Sequence, residues 1–154
     1  MFRLRGKVLQ YGREALINEG FFETHTPKIV ATATEGGTDL FPMQYFDTPA
    51  FLNQSPQLFK QLCMSGGLER VFEIGPAFRA EKHDTYRHLN EFISFDIECS
   101  WATDDDVMGV LERMIHHMWQ SIANDEESKS YIATINEYRA CLLYTSPSPR
   151  DCQW

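Results

Sequence analysis

Two stretches of alternating polarity, 70–81 and 91–99, constrain the fold of this 154-residue chain more than any other feature. In the first, Phe72, Ile74, Pro76 and Phe78 share one parity, while Glu73, Gly75, Ala77, Arg79 and Glu81 share the other. In the second, Ile93, Phe95, Ile97 and Cys99 alternate with Phe92, Ser94, Asp96 and Glu98. A period of two sends successive side chains to opposite faces, so each stretch predicts a strand with one apolar face and one face carrying charge. The link KHDTYRHLN is longer than a tight turn and holds Lys82, Arg87 and two histidines. The simplest arrangement is an antiparallel pair joined by a long basic loop.

Helical spacing accounts for much of the rest. Leu4, Val8, Tyr11, Ala15, Leu16 and Ile17 predict an amphipathic helix over 3–19, with Gly20 as its stop. The aromatic and β-branched run from Phe21 to Thr26 reads as a strand, with Pro27 at its end or on a sheet edge. Residues 31–40 are small, polar and glycine-containing, the composition of a loop. Residues 56–66 predict a short helix, with Ser55 as N-cap and Pro56 in the first turn. The clearest helix is 104–123: Asp104, Asp105 and Asp106 suit its positive N-terminal end. Val107, Leu111, Met114, Ile115, Met118, Trp119 and Ile122 form its expected buried stripe.

Composition narrows the class. Hydrophobic content of 43% and charged content of 23% are those of a folded soluble protein. No run approaches the roughly 20 apolar residues that span a bilayer. The first residues lack the apolar core of a secretory signal, so a cytoplasmic location is expected. The cysteines, Cys63, Cys99, Cys141 and Cys152, make no C-x-x-C pair, and the first two are expected as small core residues. His25 and the adjacent His116 and His117 make no metal pattern. A formal net charge of −8 argues against a freestanding nucleic-acid module, whose affinity comes from neutralising phosphates. The tail 141–154, CLLYTSPSPRDCQW, has no periodicity and resembles a translated sequencing adapter; it is expected to be non-native.

Three constellations can carry chemistry. Arg79 and Glu81 share a strand face beside the basic loop, and a guanidinium fork suits phosphate oxygens. Arg87 and His88 could add phosphate contacts, Phe92 lies on the same charged face, and Asp96 and Glu98 lie further along it. A solvated sheet face with surface ion pairs is the alternative. In Asn53–Lys60, Gln57 and Lys60 are three apart and share a helix face, where a lysine beside an amide can bind a carboxylate. A capped surface helix would look the same. Thr34–Thr38, with Gly36 and Gly37, has the backbone freedom of a lid or of a plain surface loop.

In order, these pieces resemble the class II catalytic domain of the aspartyl-tRNA synthetase family, archaeal and eukaryotic type, over about residues 2–123. FETHTPKI resembles motif 1, a dimer-interface element ending at Pro27. ATEGGTDLF resembles the loop that closes over the amino acid, FLNQSPQLFKQ the amino-acid-binding segment, and RVFEIGPAFRAEKHDTYRHLNEF motif 2. The resemblance implies an α+β fold, an antiparallel sheet flanked by helices, here incomplete. It implies catalysis by Arg79, an ATP set of Arg79, Ala80, Glu81, Arg87, His88, Leu89 and Phe92, and an aspartate set of Glu35, Ser55, Gln57, Leu58, Phe59, Lys60, Arg79 and Asp96. Within these sets Arg79 would hold the α-phosphate and an aspartate carboxylate, Glu81 the adenine side, Arg87 and His88 the outer phosphates, and Phe92 the adenine face. Glu35 and Gln57 would take the α-amino group, and Lys60 the side-chain carboxylate. A buried ammonium at Lys60 favours aspartate over the neutral asparagine.

The implied substrates and partners are ATP with Mg²⁺, L-aspartate, tRNA(Asp) and in some relatives tRNA(Asn), acting in a homodimer. The anticodon-binding barrel, motif 3 and the acidic magnesium ligands are not found in residues 1–140, so this catalytic segment alone is expected to be inactive. Two alternatives stay open: a tRNA-independent amide ligase of asparagine synthetase type, and a truncated paralogue that binds a synthetase through its motif 1 surface.

Overall fold

The computed structural model describes residues 1–32, 40–82 and 88–145, with side chains up to residue 139. The elements run α1 (Phe2–Asn18), β1 (Phe22–Glu23), β2 (Ile29–Val30), β3 (Pro42–Tyr45), β4 (Thr48–Leu52), α2 (Gln57–Ser65), β5 (Arg70–Phe78), β6 (Glu91–Cys99), α3 (Asp104–Asn124) and α4 (Glu126–Thr145). They divide into two compact units: Leu16–Met108, and Met1–Ala15 together with the chain from Gly109 onward.

In the Leu16–Met108 unit, β5 and β6 pair antiparallel from Arg70↔Cys99 to Phe78↔Glu91, as the alternation predicts. β1 joins the other side of β5 in parallel, giving the order β1-β5-β6. The strand expected through Thr26 therefore pairs over only two residues. Thr24 makes a last bond to the Phe72 carbonyl (2.8 Å) before the chain turns away, and Pro27 has no N–H to extend a ladder. The second sheet, β2-β4-β3, is antiparallel throughout. Its β3–β4 hairpin escapes the sequence patterns. Pro42 and Pro49 interrupt both strands, and the turn carries Phe46 at φ 52° where glycine or asparagine is usual. The apolar core of this unit is Leu16, Phe21, Ala50, Val71, Phe72 and Ala77, all buried.

α2 begins one residue later than expected. Pro56 is the N-cap, and the Ser55 hydroxyl accepts the Gln57 N–H at 3.2 Å, so serine still covers the first free donor. At the start of α3, Thr103 and Asp106 form a reciprocal capping box: Asp106 N–H to Thr103 Oγ1 (3.3 Å) and Thr103 N–H to Asp106 Oδ2 (2.9 Å). The buried line of α3 is Val110, Met114 and Ile122, whereas Ile115 and Trp119 are exposed, Trp119 at 66%. The expected stripe is corrected there. This helix has apolar residues on two faces, and periodicity does not say which is covered. Cys63 and Cys99 are half-buried rather than core.

The other unit is helical. Asp125 caps α4 by accepting the Ser128 hydroxyl (2.6 Å) and the Ser128 N–H (3.2 Å), and Ser128 is fully buried. Lys7 of α1 bridges Asp125 (3.2 Å) and Glu127 (3.1 Å), tying α1 to the start of α4. The Ser128 hydroxyl, then Lys7, hold the Asp125 carboxyl down to about 2. A carboxylate depressed in the folded state adds stability above its unfolded value near 3.8, and that stability is lost as pH falls through about 2. Asparagine also caps helices well but carries no charge. Asp125→Asn is therefore expected to lower the melting temperature at pH 6, with the gap to wild type closing below pH 3 (about one unit either side of the transition). An equal deficit at both pH values in calorimetric melts would show that the charge contributes nothing.

Candidate active site

The face of β5 and β6 that carries charge forms the floor of the site. Register places Glu73 opposite Asp96, Gly75 opposite Ser94 and Ala77 opposite Phe92, all on one face. Pairing continues past β5 through the Arg79 N–H to Asn90 carbonyl bond (3.0 Å). The side-chain amide of Asn90, oriented by its acceptors, donates to the carbonyls of Arg79 and Glu81 at 3.0 Å each. This clasps the two strand ends on either side of the basic loop.

At that end Arg79, Glu81, His88, Leu89 and Phe92 line an open cleft of about 380 Å³. The Arg79 guanidinium lies 5.5 Å from the Phe92 ring centroid, a cation–π contact. Its Nε is buried and has no hydrogen-bond partner among the described residues. A buried N–H donor without an acceptor is costly, and an anionic oxygen would relieve it. His88 Nε2 stands 3.8 Å from Glu81 Oε2, an ion pair when the histidine is protonated. Ala80 is half-buried between Arg79 and Glu81.

Further along the face lies a buried lysine. Lys60 is 1% exposed, and its Nζ is surrounded by Glu98 Oε2 (3.3 Å), the Ile97 carbonyl (3.3 Å) and Asp96 Oδ1 (3.4 Å). Gln57 Nε2 donates to Glu98 Oε2 (2.9 Å), and the Ser94 hydroxyl to Asp96 Oδ2 (2.6 Å). Gln57, Lys60 and Asp96, which the resemblance puts in one set, thus lie together with Glu98 beside them. Ser55 is buried and holds the start of α2. Phe59 is half-buried, while Leu58 is 47% exposed. Glu35 and Arg87 lie outside the described residues.

Sequence reasoning gave no role to the polar residues that support this cluster. Asn53, fully buried, donates to the Pro27 carbonyl (3.1 Å) and accepts the Ser55 N–H (3.3 Å). Its own N–H meets the Lys28 carbonyl (2.9 Å), and its carbonyl accepts the Phe78 N–H (3.2 Å). Gln54 is also fully buried. Two amides directly before a helix-starting Ser-Pro were the available signal, since polar side chains are buried only where they are bonded. Among the described residues no three His, Cys, Asp or Glu side chains are placed to share a metal ion, and no helix is long and apolar enough to cross a membrane.

Residues 1–149 match the family of tRNA synthetases class II (D, K and N). The chain belongs to this family. Over 132 residues it is 58% identical to an aspartate–tRNA(Asp/Asn) ligase from Archaeoglobus fulgidus, covering 86% of this chain and 30% of that one. Over 125 residues it is 54% identical to an aspartate–tRNA(Asp) ligase from Thermoplasma volcanium, covering 81% of this chain and 29% of that one. The asparaginyl-tRNA synthetase of Pyrococcus horikoshii, solved with asparaginyl-adenylate, superposes with a TM-score of 0.72 at 39% identity. That match covers 77% of this chain and 27% of the other. The chain thus spans about 30% of the length of the curated relatives it matches. The α+β architecture is that of a class II synthetase catalytic domain, with β1 making its sheet mixed rather than purely antiparallel.

For this class II segment the Lys60 cluster is also a stability element. Removing one partner of a buried ion pair strands the others without compensation. Lys60→Met is expected to lower the urea-unfolding free energy by about 3 kcal/mol, against under about 1 kcal/mol for Leu58→Ala at its exposed position. Equal, small losses for both would mean that the lysine is not held as described.

Proposed function

We propose that this segment is the part of an aspartate–tRNA ligase that binds the amino acid and the ATP α-phosphate. The observation that carries the reading is the pairing of sites on one sheet face. A buried lysine cluster able to take a carboxylate lies along the strands from an arginine whose buried Nε–H has no acceptor among the described residues. The names of the curated relatives support the same assignment.

In the first step an α-carboxylate oxygen of aspartate attacks the α-phosphorus of ATP. The bond to the bridging oxygen breaks, and pyrophosphate leaves with that electron pair. In the second step the terminal ribose hydroxyl of tRNA attacks the adenylate carbonyl, and AMP departs. Arg79 would bond an α-phosphate oxygen and the attacking carboxylate together, orienting the two reactants and stabilising the charge that develops. Phe92 would stack on adenine, Glu81 would contact its edge, and Ala80 and Leu89 would line the nucleotide cleft. Arg87 and His88 would meet the outer phosphates. Gln57, its nitrogen held by Glu98, would offer its carbonyl oxygen to the α-ammonium beside Glu35. Ser55 and Phe59 would support the pocket, with Leu58 at its margin. Mg²⁺, when bound, would neutralise phosphate charge; no residue described here is assigned to it.

Lys60 and Asp96 would receive the side-chain carboxylate, with one qualification to the simple charge argument. The ammonium already has three oxygens around it, two of them carboxylate. An incoming carboxylate must displace one of them. Preference for aspartate over asparagine therefore depends on the charge of the whole cluster. The proposal includes tRNA(Asp) as acceptor and a homodimer formed through the segment ending at Pro27. The relatives named for tRNA(Asp/Asn) and for tRNA(Asp) are both similar to this chain, which leaves tRNA(Asn) as an additional acceptor to test.

The test is aspartate-dependent exchange of pyrophosphate into ATP, measured on the complete gene product. Aspartate and not asparagine should support exchange, and Arg79→Ala should lower it by about 10²- to 10³-fold. Attack of ammonia on the adenylate carbonyl without tRNA, giving asparagine and AMP, would replace this assignment with the amide ligase.

A further inference from the structure

Buried Glu73 and partly exposed Lys28 form a second ion pair that the reaction as described does not use. Glu73 is 2% exposed, on the middle of β5. One carboxylate oxygen is bonded by Lys28 Nζ, and the other accepts the Thr26 N–H at 3.1 Å. Lys28 Nζ also donates to Thr26 Oγ1 at 3.2 Å. The glycine at 75 makes room for this. A β-carbon there would stand 2.8 Å from Glu73 Oε1, so the carboxylate in its present place would have to shift.

Glu73 is also the residue directly across the ladder from Asp96. Like charges at facing positions on one side of a sheet destabilise each other. Here each carboxylate has its own lysine: Lys28 for Glu73, and Lys60 for Asp96. We infer that Lys28 is a positioning residue for the amino-acid pocket: by holding the Glu73 charge it leaves Asp96 and Glu98 free to hold Lys60 and sets the charge that an incoming side chain meets. The inference rests on the aspartate reading of the Lys60 pocket.

The five groups make the sign of each effect explicit. Lys28 and Lys60 against Glu73, Asp96 and Glu98 sum to −1. Without Lys28 the sum is −2, without Glu73 it is 0, and without both it is again −1. The two single losses should thus act on an anionic ligand in opposite directions. A pair that served packing alone would weaken binding whichever partner was lost.

The experiment uses the full chain as wild type, Lys28→Met, Glu73→Gln and the double variant. Calorimetry reads L-aspartate and L-asparagine binding, and ¹⁵N-lysine NMR reads the Lys60 ammonium. Lys28→Met should lower the preference for aspartate over asparagine by about tenfold, and Glu73→Gln should raise it; a unit charge in a partly shielded pocket has effects of this order. The double variant should return to within about threefold of wild type, as its charge sum does. If Lys28→Met fails to fold, Glu73→Gln and the double variant still carry the sign test. Parallel weakening of both ligands in every folded variant would overturn the inference. If the wild-type chain binds neither amino acid, the aspartate reading fails, and the Lys60 resonance decides the coupling by itself. A resonance displaced in the single variants and restored in the double supports the coupling, and one unmoved in all of them refutes it.

Discussion

A single ammonium group organises the Leu16–Met108 unit. Lys60 sits among the side chains of Asp96 and Glu98 and the carbonyl of Ile97 with almost no access to water. Removing a lysine from water costs several kcal/mol, which only close oxygens can offset (roughly, for buried ions). Those oxygens come from three consecutive residues of β6, two pointing to one face and one from the backbone between them. That geometry exists only if β6 is extended there and α2 lies over it. The lysine therefore fixes the position of the helix on the sheet. An apolar residue at 60 could slide along the strand, whereas a charge with three acceptors cannot.

The start of α2 is fixed from its other side by Asn53. Its side chain and backbone together reach Pro27, Lys28, Ser55 and Phe78, joining the turn after β1, the strand β5 and the first turn of the helix. Glu73 reaches back to Thr26 and Lys28 from the middle of β5. The segment 26–28 is consequently held by polar contacts where its strand pairing has stopped. Buried polar groups of this kind tolerate few alternative arrangements, because each broken bond leaves a donor or acceptor without water. They specify one geometry where an apolar core would accept several.

Legibility from sequence followed the same physics. The β5–β6 pair was readable almost to the residue, since one apolar and one charged face impose a strict period of two. α1, α2 and α3 were readable from spacing and end signals. The β3–β4 hairpin was not, because Pro42 and Pro49 break the strand pattern and Phe46 takes a left-handed turn conformation that no residue type announces. The covered face of α3 was misread because Met108, Ile115 and Trp119 form a second apolar stripe. Of the candidate site residues, Arg79, Gln57, Lys60 and Asp96 were named by resemblance, and the last three lie together. Glu98 was placed on the charged face without a role, and Glu73, Lys28 and Asn53 were given none. Their importance depends on which of them are buried and what they touch across 26 to 47 residues of sequence, and local pattern carries no such information.

The two ends of the sheet face present opposite electrostatic situations. Around Lys60 the carboxylates outnumber the lysine, so the pocket is already satisfied and carries a negative sum. At the other end the Arg79 guanidinium has an aromatic face and its backbone carbonyl is held by the Asn90 amide, but its buried Nε–H has no acceptor among the described residues. Attraction for an anion is thus strongest at the arginine end. A ligand carrying both a phosphate and a second carboxylate would gain most of its charge stabilisation there. The lysine end would contribute shape and hydrogen-bond matching, at the cost of displacing an existing partner. Such a division suits a reaction whose new charge appears at phosphorus and whose selectivity is exercised at a side chain several residues away along the same two strands.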